Sequence, residues 1–197
     1  MIVSRIMFAI LLMAATTRAP TPSSAAAAPD TGAIDRYVAA QLAAQRVPGL
    51  ALAIVHNDRV VYAKGYGSAA DGQPATPQTQ FFIASLSKSI TALAVMQLAE
   101  AGALDLDAPV QRYLPEFTLA NPDHAARLTL RQLLNQVSGL SDAGFAESVL
   151  PQPANLSERV AGLRRARPVA PPGAEFHYFN PNYQVLARVV EVSKGFT

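Results

Sequence analysis

Ser85 and Lys88 place a hydroxyl and an amine three residues apart, the chemistry of a nucleophile and its base. A serine hydroxyl attacks a carbonyl at neutral pH only when a neighbouring base takes its proton. If the segment is helical, residues three apart share a face, so the Lys88 amine would lie beside the Ser85 oxygen. The unpaired N–H groups of a helix N-terminus would then stabilise the oxyanion that forms. This spacing is therefore compatible with acyl transfer.

The same two residues also have a structural interpretation. Serine is a favoured helix N-cap, and a lysine can lay its stem along an apolar surface while its ammonium stays in water. A Ser-x-x-Lys spacing also arises by chance. Taken alone, the motif favours this structural interpretation, so a catalytic role for Ser85 and Lys88 needs support from the rest of the chain.

The segment that carries both residues, 81–104, is apolar along most of its length. Apolar residues after Ser85 leave little polar face, so we expect a helix that is buried on most sides and ends near Gly102. Burial would disfavour the charged form of Lys88 and favour the neutral, proton-accepting form.

The remaining pattern predicts several elements around this helix. They are a helix at 31–45, a hairpin of strands 50–55 and 59–63 with its turn at 56–58, a short helix at 131–136, an amphipathic helix at 156–167, and an extended segment at 176–180 that leads into a helix at 182–192. We expect His124 to be solvated in a polar loop. Asp105 and Asp107 are interpreted as helix-capping acids rather than metal ligands, because no glycine turn or terminal glutamate follows them.

The composition excludes some partners. The chain has 197 residues, half of them hydrophobic, which is enough for one domain with a sizeable core. Its net charge of +2 comes from Arg5 and Arg18, which lie in the first 28 residues. Residues 29–197 hold 14 basic and 14 acidic side chains, so this part of the chain has no net charge. Nucleic acid is therefore not indicated as a partner. The absence of cysteine excludes disulfides and thiolate metal sites.

Residues 1–28 have the pattern of a secretory signal peptide. Arg5 provides the positive start, 6–15 is an apolar run, and small residues follow at 23–28. The apolar run is well short of the ~20 residues of a membrane-spanning helix. We expect export, cleavage, and a mature chain 29–197 that is periplasmic or secreted and is not bound to the membrane.

The order of four segments resembles the serine beta-lactamase and penicillin-binding-protein superfamily, on the side of the class C enzymes, DD-peptidases and related esterases. The segments are KGYG at 64–67, SLSK at 85–88, LTLRQLLNQVSGL at 128–140, and Pro172-Gly173 followed by Phe176, Tyr178 and Asn180. Their joint order is more specific than any one of them, and it favours the catalytic interpretation of Ser85. The resemblance implies an α/β (α+β) fold of the beta-lactamase/transpeptidase type.

The resemblance also implies a role for each site residue. Ser85 would be the acylated nucleophile, Lys88 its proton partner, Tyr178 the proton shuttle, and Asn180 the amide that positions the substrate. The implied enzyme is a serine hydrolase acting on a beta-lactam, a D-Ala-D-Ala peptide or a small ester, without metal or organic cofactor. In an extended segment Tyr178 and Asn180 would face the same side, with Phe179 turned into the core.

One motif of the superfamily does not occur in the sequence: a Lys or His, then a Ser or Thr, then a Gly on an inner strand of the sheet. We therefore expect an incomplete chain, 29–197 being the N-terminal part of the domain, with an open edge on its hairpin and no activity by itself. Two alternatives stay open. The protein could be a non-catalytic member that binds peptidoglycan or a partner through the same cleft, or the chain could fail to fold.

Overall fold

The structure, a computed structural model, describes residues 29–70, 72–146 and 155–193. The chain divides into two compact units between Phe81 and Phe82, and each is described by itself. The predicted signal segment 1–28 lies outside the described residues. None of the helices within the described ranges has the length and apolar character that crossing a membrane requires.

Among the residues that the structure describes, the first unit contains one helix and one hairpin. Helix α1 spans Thr31–Gln45, as predicted, and strands β1 (Gly49–His56) and β2 (Arg59–Gly67) pair antiparallel. Asp30 caps α1, because its carboxylate accepts a hydrogen bond from the Ala33 amide at 2.9 Å. Arg46 ends the helix in a left-handed conformation.

The hairpin turn is tighter than the sequence predicted. Asn57 and Asp58 both have positive φ, at 49° and 58°, and His56 pairs with Arg59 across the turn. Asparagine and aspartate tolerate this conformation, which two-residue hairpin turns of type I′ require. Both strands are therefore longer than predicted, and β2 continues to Gly67.

Helix α1 is attached to the hairpin through the carboxylate of Asp35. Tyr62, Lys64 and Tyr66 alternate along β2, so their side chains leave the strand on the same face. The two phenols donate to Asp35 Oδ1 at 2.5 and 2.7 Å, and Lys64 Nζ donates to Oδ2 at 2.7 Å. The hydrogen bond from Lys64, followed by those from the tyrosines, lowers the pKa of Asp35 from 3.8 to about 2.

This depressed pKa predicts an acid-dependent contribution to stability. The Asp35 carboxylate stabilises the native state above about pH 4, and this contribution is lost as the pH falls toward about 2. Asp35→Asn should therefore lower the melting temperature at pH 7, with a difference from wild type that disappears between pH 4 and pH 2. Asp58→Asn removes the same charge from the hairpin turn and is the matched control. A pH-independent effect of Asp35→Asn in thermal melts would contradict the prediction.

The second unit is helical. It contains α2 (Ser87–Glu100), α3 (Pro122–Arg127), α4 (Leu130–Leu134), α5 (Leu156–Gly162) and α6 (Asn180–Ser193), with 3₁₀ turns at Ala84–Leu86, Val110–Arg112 and Leu163–Arg165. Helix α6 is central, since α2, α4 and α5 all pack against it. Its buried residues Asn182, Val185, Leu186 and Val189 follow the helical repeat. The core around them includes Val95, Leu98, Leu114, Phe117, Leu130, Leu133 and Phe179.

Local capping explains where the short helices begin. Asn121 accepts from the His124 amide at the start of α3, and Pro122 occupies its first turn. Thr129 and Gln132 form a reciprocal capping box at α4. Helix α4 thereby begins at Leu130, one residue before its predicted start, and it ends at Leu134, two residues before its predicted end.

The prediction that the Ser85 helix is buried on most sides is wrong. Val95 and Leu98 are buried, but Ile90 and Leu93 are 62% and 59% exposed. Helix α6 is the principal partner of α2 among the described helices of this unit, and it covers one side. An apolar composition shows that a face can be buried, but it does not identify the neighbours that bury it.

Two further expectations are corrected. His124 is not solvated: it lies in α3, is 3% exposed, and its Nε2–H donates to the Ser138 carbonyl oxygen at 2.7 Å. Asp105 and Asp107 do not cap a described helix. Asp107 receives two hydrogen bonds from the Arg131 guanidinium, at 2.6 and 2.8 Å, while Asp105 accepts from the Asp107 amide. Within the described ranges, no three His, Asp or Glu side chains are grouped to hold a metal ion.

Candidate active site

The backbone at Ser85 is a tight turn immediately before α2. Ser85 was expected at the N-terminus of a helix; it lies in the 3₁₀ turn Ala84–Leu86, and α2 begins two residues later at Ser87. Ala84 has a φ of 46°, which a residue with a Cβ rarely adopts. The Ser87 hydroxyl donates to the Ala84 carbonyl oxygen at 2.7 Å and supports this turn. Ser85 is thereby exposed at the N-terminal end of α2.

Lys88 links two elements of the second unit. Its Nζ donates to Ser85 Oγ at 3.0 Å and to Asn180 Oδ1 at 2.7 Å. The side chain is half-buried rather than enclosed, consistent with the open side of α2. The predicted proximity of the amine to the Ser85 hydroxyl is therefore present in the structure.

Tyr178 reaches the same point from 93 residues along the chain. Its hydroxyl lies 2.6 Å from Ser85 Oγ, and the Lys88 Nζ lies 4.8 Å from the centre of its ring. Phe179 is fully buried, which places Tyr178 on the opposite side. Asn180 begins α6 instead of ending an extended segment, yet its amide still faces Lys88. All four predicted site residues thus lie together.

A groove of about 450 Å³ opens beside Ser85 and Lys88. Phe82 and Leu156 contribute apolar side chains to its walls, and Asn180 contributes an amide. Apolar walls with a few polar groups are typical of small-molecule sites. The hydroxyl of Ser85 is therefore open to a ligand that lies in the groove.

Tyr183 also lies beside the site, although it was not among the predicted site residues. Its ring centre lies 5.9 Å from the Lys88 Nζ, and its hydroxyl donates to the Leu134 carbonyl oxygen at 3.0 Å. Burial raises the pKa of the Tyr183 phenol, and the nearby Tyr178 raises it further. The available signal was its position three residues after Asn180, which puts both side chains on the same face of α6.

Gln136 was also missed. It is buried just after α4 and contacts the segment that carries Tyr178. A glutamine at the end of a short helix has no sequence signature of such a role, because the contact joins residues more than forty positions apart.

Most of the chain is similar to known proteins. Residues 34–197 match the family model described as Beta-lactamase. The chain is similar to Protein flp of Staphylococcus aureus (strain COL), at 32% identity over 161 residues, covering 80% of this chain and 32% of flp. It is similar to Esterase EstB of Burkholderia gladioli, at 31% identity over 198 residues, covering 93% of this chain and 50% of EstB.

The fold is also similar to that of a solved structure, the octameric penicillin-binding protein homologue from Pyrococcus abyssi. The TM-score is 0.70 at 32% identity, and the match covers 86% of this chain and 40% of that one. The chain thus spans 32% of the length of Protein flp and 50% of the length of Esterase EstB, and it covers the fold in part. The predicted α/β (α+β) fold of the beta-lactamase/transpeptidase type is confirmed. The chain belongs to the Beta-lactamase family, within the serine beta-lactamase and penicillin-binding-protein superfamily that its motifs indicated.

Proposed function

We propose that the protein is a serine hydrolase that cleaves an amide or ester through an acyl-enzyme on Ser85. One observation carries the proposal: Ser85 Oγ lies 3.0 Å from the Lys88 amine and 2.6 Å from the Tyr178 hydroxyl. A nucleophile within hydrogen-bond reach of a base is the arrangement that covalent catalysis requires.

In the acylation step, Ser85 Oγ forms a bond to the substrate carbonyl carbon. Its proton passes to the Tyr178–Lys88 pair, since a nearby ammonium makes a phenol lose its own proton more readily. The tetrahedral intermediate then collapses, the bond to the leaving nitrogen or oxygen breaks, and that atom takes the proton from the pair. Water attacks the resulting Ser85 ester by the same route and restores the free hydroxyl.

Asn180 has a separate task in this mechanism. Its amide oxygen accepts from Lys88, so its amide NH₂ group is what it can offer to a substrate acceptor. Because Asn180 also lines the groove, such a hydrogen bond would hold the substrate close to Ser85. The lysine and the substrate thus use different atoms of the same amide group.

The proposed substrates are a beta-lactam, a D-Ala-D-Ala peptide or a small ester. Family membership supports the first two, and similarity to an esterase supports the third. We further propose that the protein is exported to the periplasm or the medium, on the basis of the signal-like residues 1–28. The 197-residue chain by itself is proposed to be inactive, because it lacks the third motif of the superfamily.

The proposal is tested by mapping the covalent adduct. The intact protein, that is, the longer protein of which residues 1–197 are proposed to be the N-terminal part, is incubated with a fluorescent penicillin or a fluorophosphonate ester probe, digested, and examined by mass spectrometry. We expect one adduct per chain, on the peptide that contains Ser85, and we expect the ratio of the two probes to indicate the substrate class. An adduct on a different serine, or none with either probe, would overturn the proposal.

A further inference from the structure

A single buried residue holds the backbone on both sides of Tyr178. The main-chain oxygen of Gln136 accepts from the His177 amide at 2.9 Å, and its side-chain Oε1 accepts from the Phe179 amide at 3.1 Å. Gln136 is 5% exposed and has a φ of 58°. That left-handed turn lets the main-chain and side-chain oxygens of one residue bind the same loop.

The same side-chain oxygen also reaches α6. Gln136 Oε1 accepts from Asn182 Nδ2 at 2.7 Å, and Asn182 is buried in the first turn of the helix that Asn180 begins. One oxygen therefore fixes the loop that carries Tyr178 against the helix end that carries Asn180. Lys88 and Ser85 complete the arrangement from α2.

Residues 176–179 belong to no helix or strand, so their conformation depends on such contacts. A buried backbone N–H that loses its acceptor is costly, and the loop would move to satisfy it elsewhere. A displacement of about 1 Å at a catalytic group can lower a rate about a hundredfold.

We propose that Gln136 is a positioning residue that sets the Tyr178 hydroxyl against Ser85 Oγ. This inference rests on the proposed function for its kinetic consequence, but its geometric content stands by itself. Gln136 touches neither the groove nor Ser85, so it acts through Tyr178.

The side chain of Gln136 can be changed while its length is kept. Gln136→Met preserves the length but offers the two donors only a weak sulfur acceptor. Gln136→Glu keeps an accepting oxygen and is the conservative variant. Residue 136 has a positive φ, which costs conformational energy for any residue with a Cβ. Because neither methionine nor glutamate is glycine, both variants keep this cost. Leu133→Ala, a buried change in α4 that makes no hydrogen bond to the loop, is the stability control.

In the intact protein, we expect Gln136→Met to lower the acylation rate constant about ten- to a hundredfold, with KM changed less than about threefold. Gln136→Glu should recover most of the rate, and Leu133→Ala should lose thermal stability with little change in rate. When Tyr178 is already replaced by phenylalanine, adding Gln136→Met should lower the acylation rate constant by less than about threefold further. The reason is that the effect of Gln136 passes through the Tyr178 hydroxyl, which is then missing. Equal losses in both backgrounds would show a general structural role and overturn the proposal.

A crystal structure of the Gln136→Met protein separates this inference from the proposed function. We expect the distance from Ser85 Oγ to the Tyr178 hydroxyl to lengthen from 2.6 Å beyond hydrogen-bond range. An unchanged distance would overturn the inference even if the wild type forms an adduct. If the wild type forms none, the function fails and this distance still decides the role of Gln136. Should Gln136→Met not fold, Gln136→Asn, too short to reach both donors, replaces it in each measurement.

Discussion

Ser85→Ala is expected to abolish acylation of the intact protein. The change removes Ser85 Oγ, which is a hydrogen-bond partner of both Lys88 Nζ, at 3.0 Å, and the Tyr178 hydroxyl, at 2.6 Å. Removing the nucleophile of a covalent hydrolase lowers kcat by about 10⁴ to 10⁶. The measurement is the rate of probe labelling together with the rate of ester or beta-lactam hydrolysis.

The matched control is Ser89→Ala, an exposed serine on the same helix. It should label and hydrolyse as the wild type does, with the same melting temperature. Equal labelling of the Ser85→Ala protein would remove Ser85 from the mechanism. Saturable, reversible penicillin binding that survives Ser85→Ala, with no adduct in the wild type, would instead favour the non-catalytic member that binds peptidoglycan or a partner.

Lys88→Met is expected to have the second-largest effect. Methionine keeps much of the length of the stem, but it removes the amine that donates to both Ser85 Oγ and Asn180 Oδ1. Loss of a general base lowers a rate by about 10² to 10⁴, and the substrate-binding groove should persist. We therefore expect a fall in kcat with a much smaller change in KM, measured by steady-state kinetics.

Two controls sharpen this prediction. Lys64→Met removes a lysine that pairs with Asp35 in the first unit and should leave the acylation rate unchanged. A small primary amine added to the buffer should restore part of the rate of Lys88→Met and none of the rate of Ser85→Ala. Lys88→Met leaves Tyr178 without its cationic partner. An undiminished kcat in this variant would therefore contradict the proton route that Tyr178 and Lys88 share.

The sequence predicted which residues lie together in the candidate site better than it predicted their surroundings. Ser85 and Lys88 are three apart in one segment, and this spacing is readable from local rules. The meeting of Ser85 with Tyr178 spans 93 positions, so only the resemblance to a known family could suggest it. Tyr183 and Gln136 carry no motif, because their roles depend on which loops and helices are neighbours in space.

Burial was the least predictable property. The apolar run after Ser85 was expected to be enclosed, yet Leu93 is largely exposed while His124, a polar residue in a polar stretch, is buried. His124 is accommodated because the Ser138 carbonyl oxygen accepts its N–H group. A sequence shows that a side chain can form such a bond, but the partner, 14 residues away, follows from the fold.

The four site residues lie at the N-terminal ends of α2 and α6, or in the segments just before them. No single segment of the described ranges carries all four residues, so the proposed proton route requires these two helices to stay packed against each other. Covalent labelling of the protein is therefore also a sensor of native packing. A chain whose helices have formed but have not yet packed together would not react with the probe. The serine would therefore be protected from acylation until the chain is fully folded.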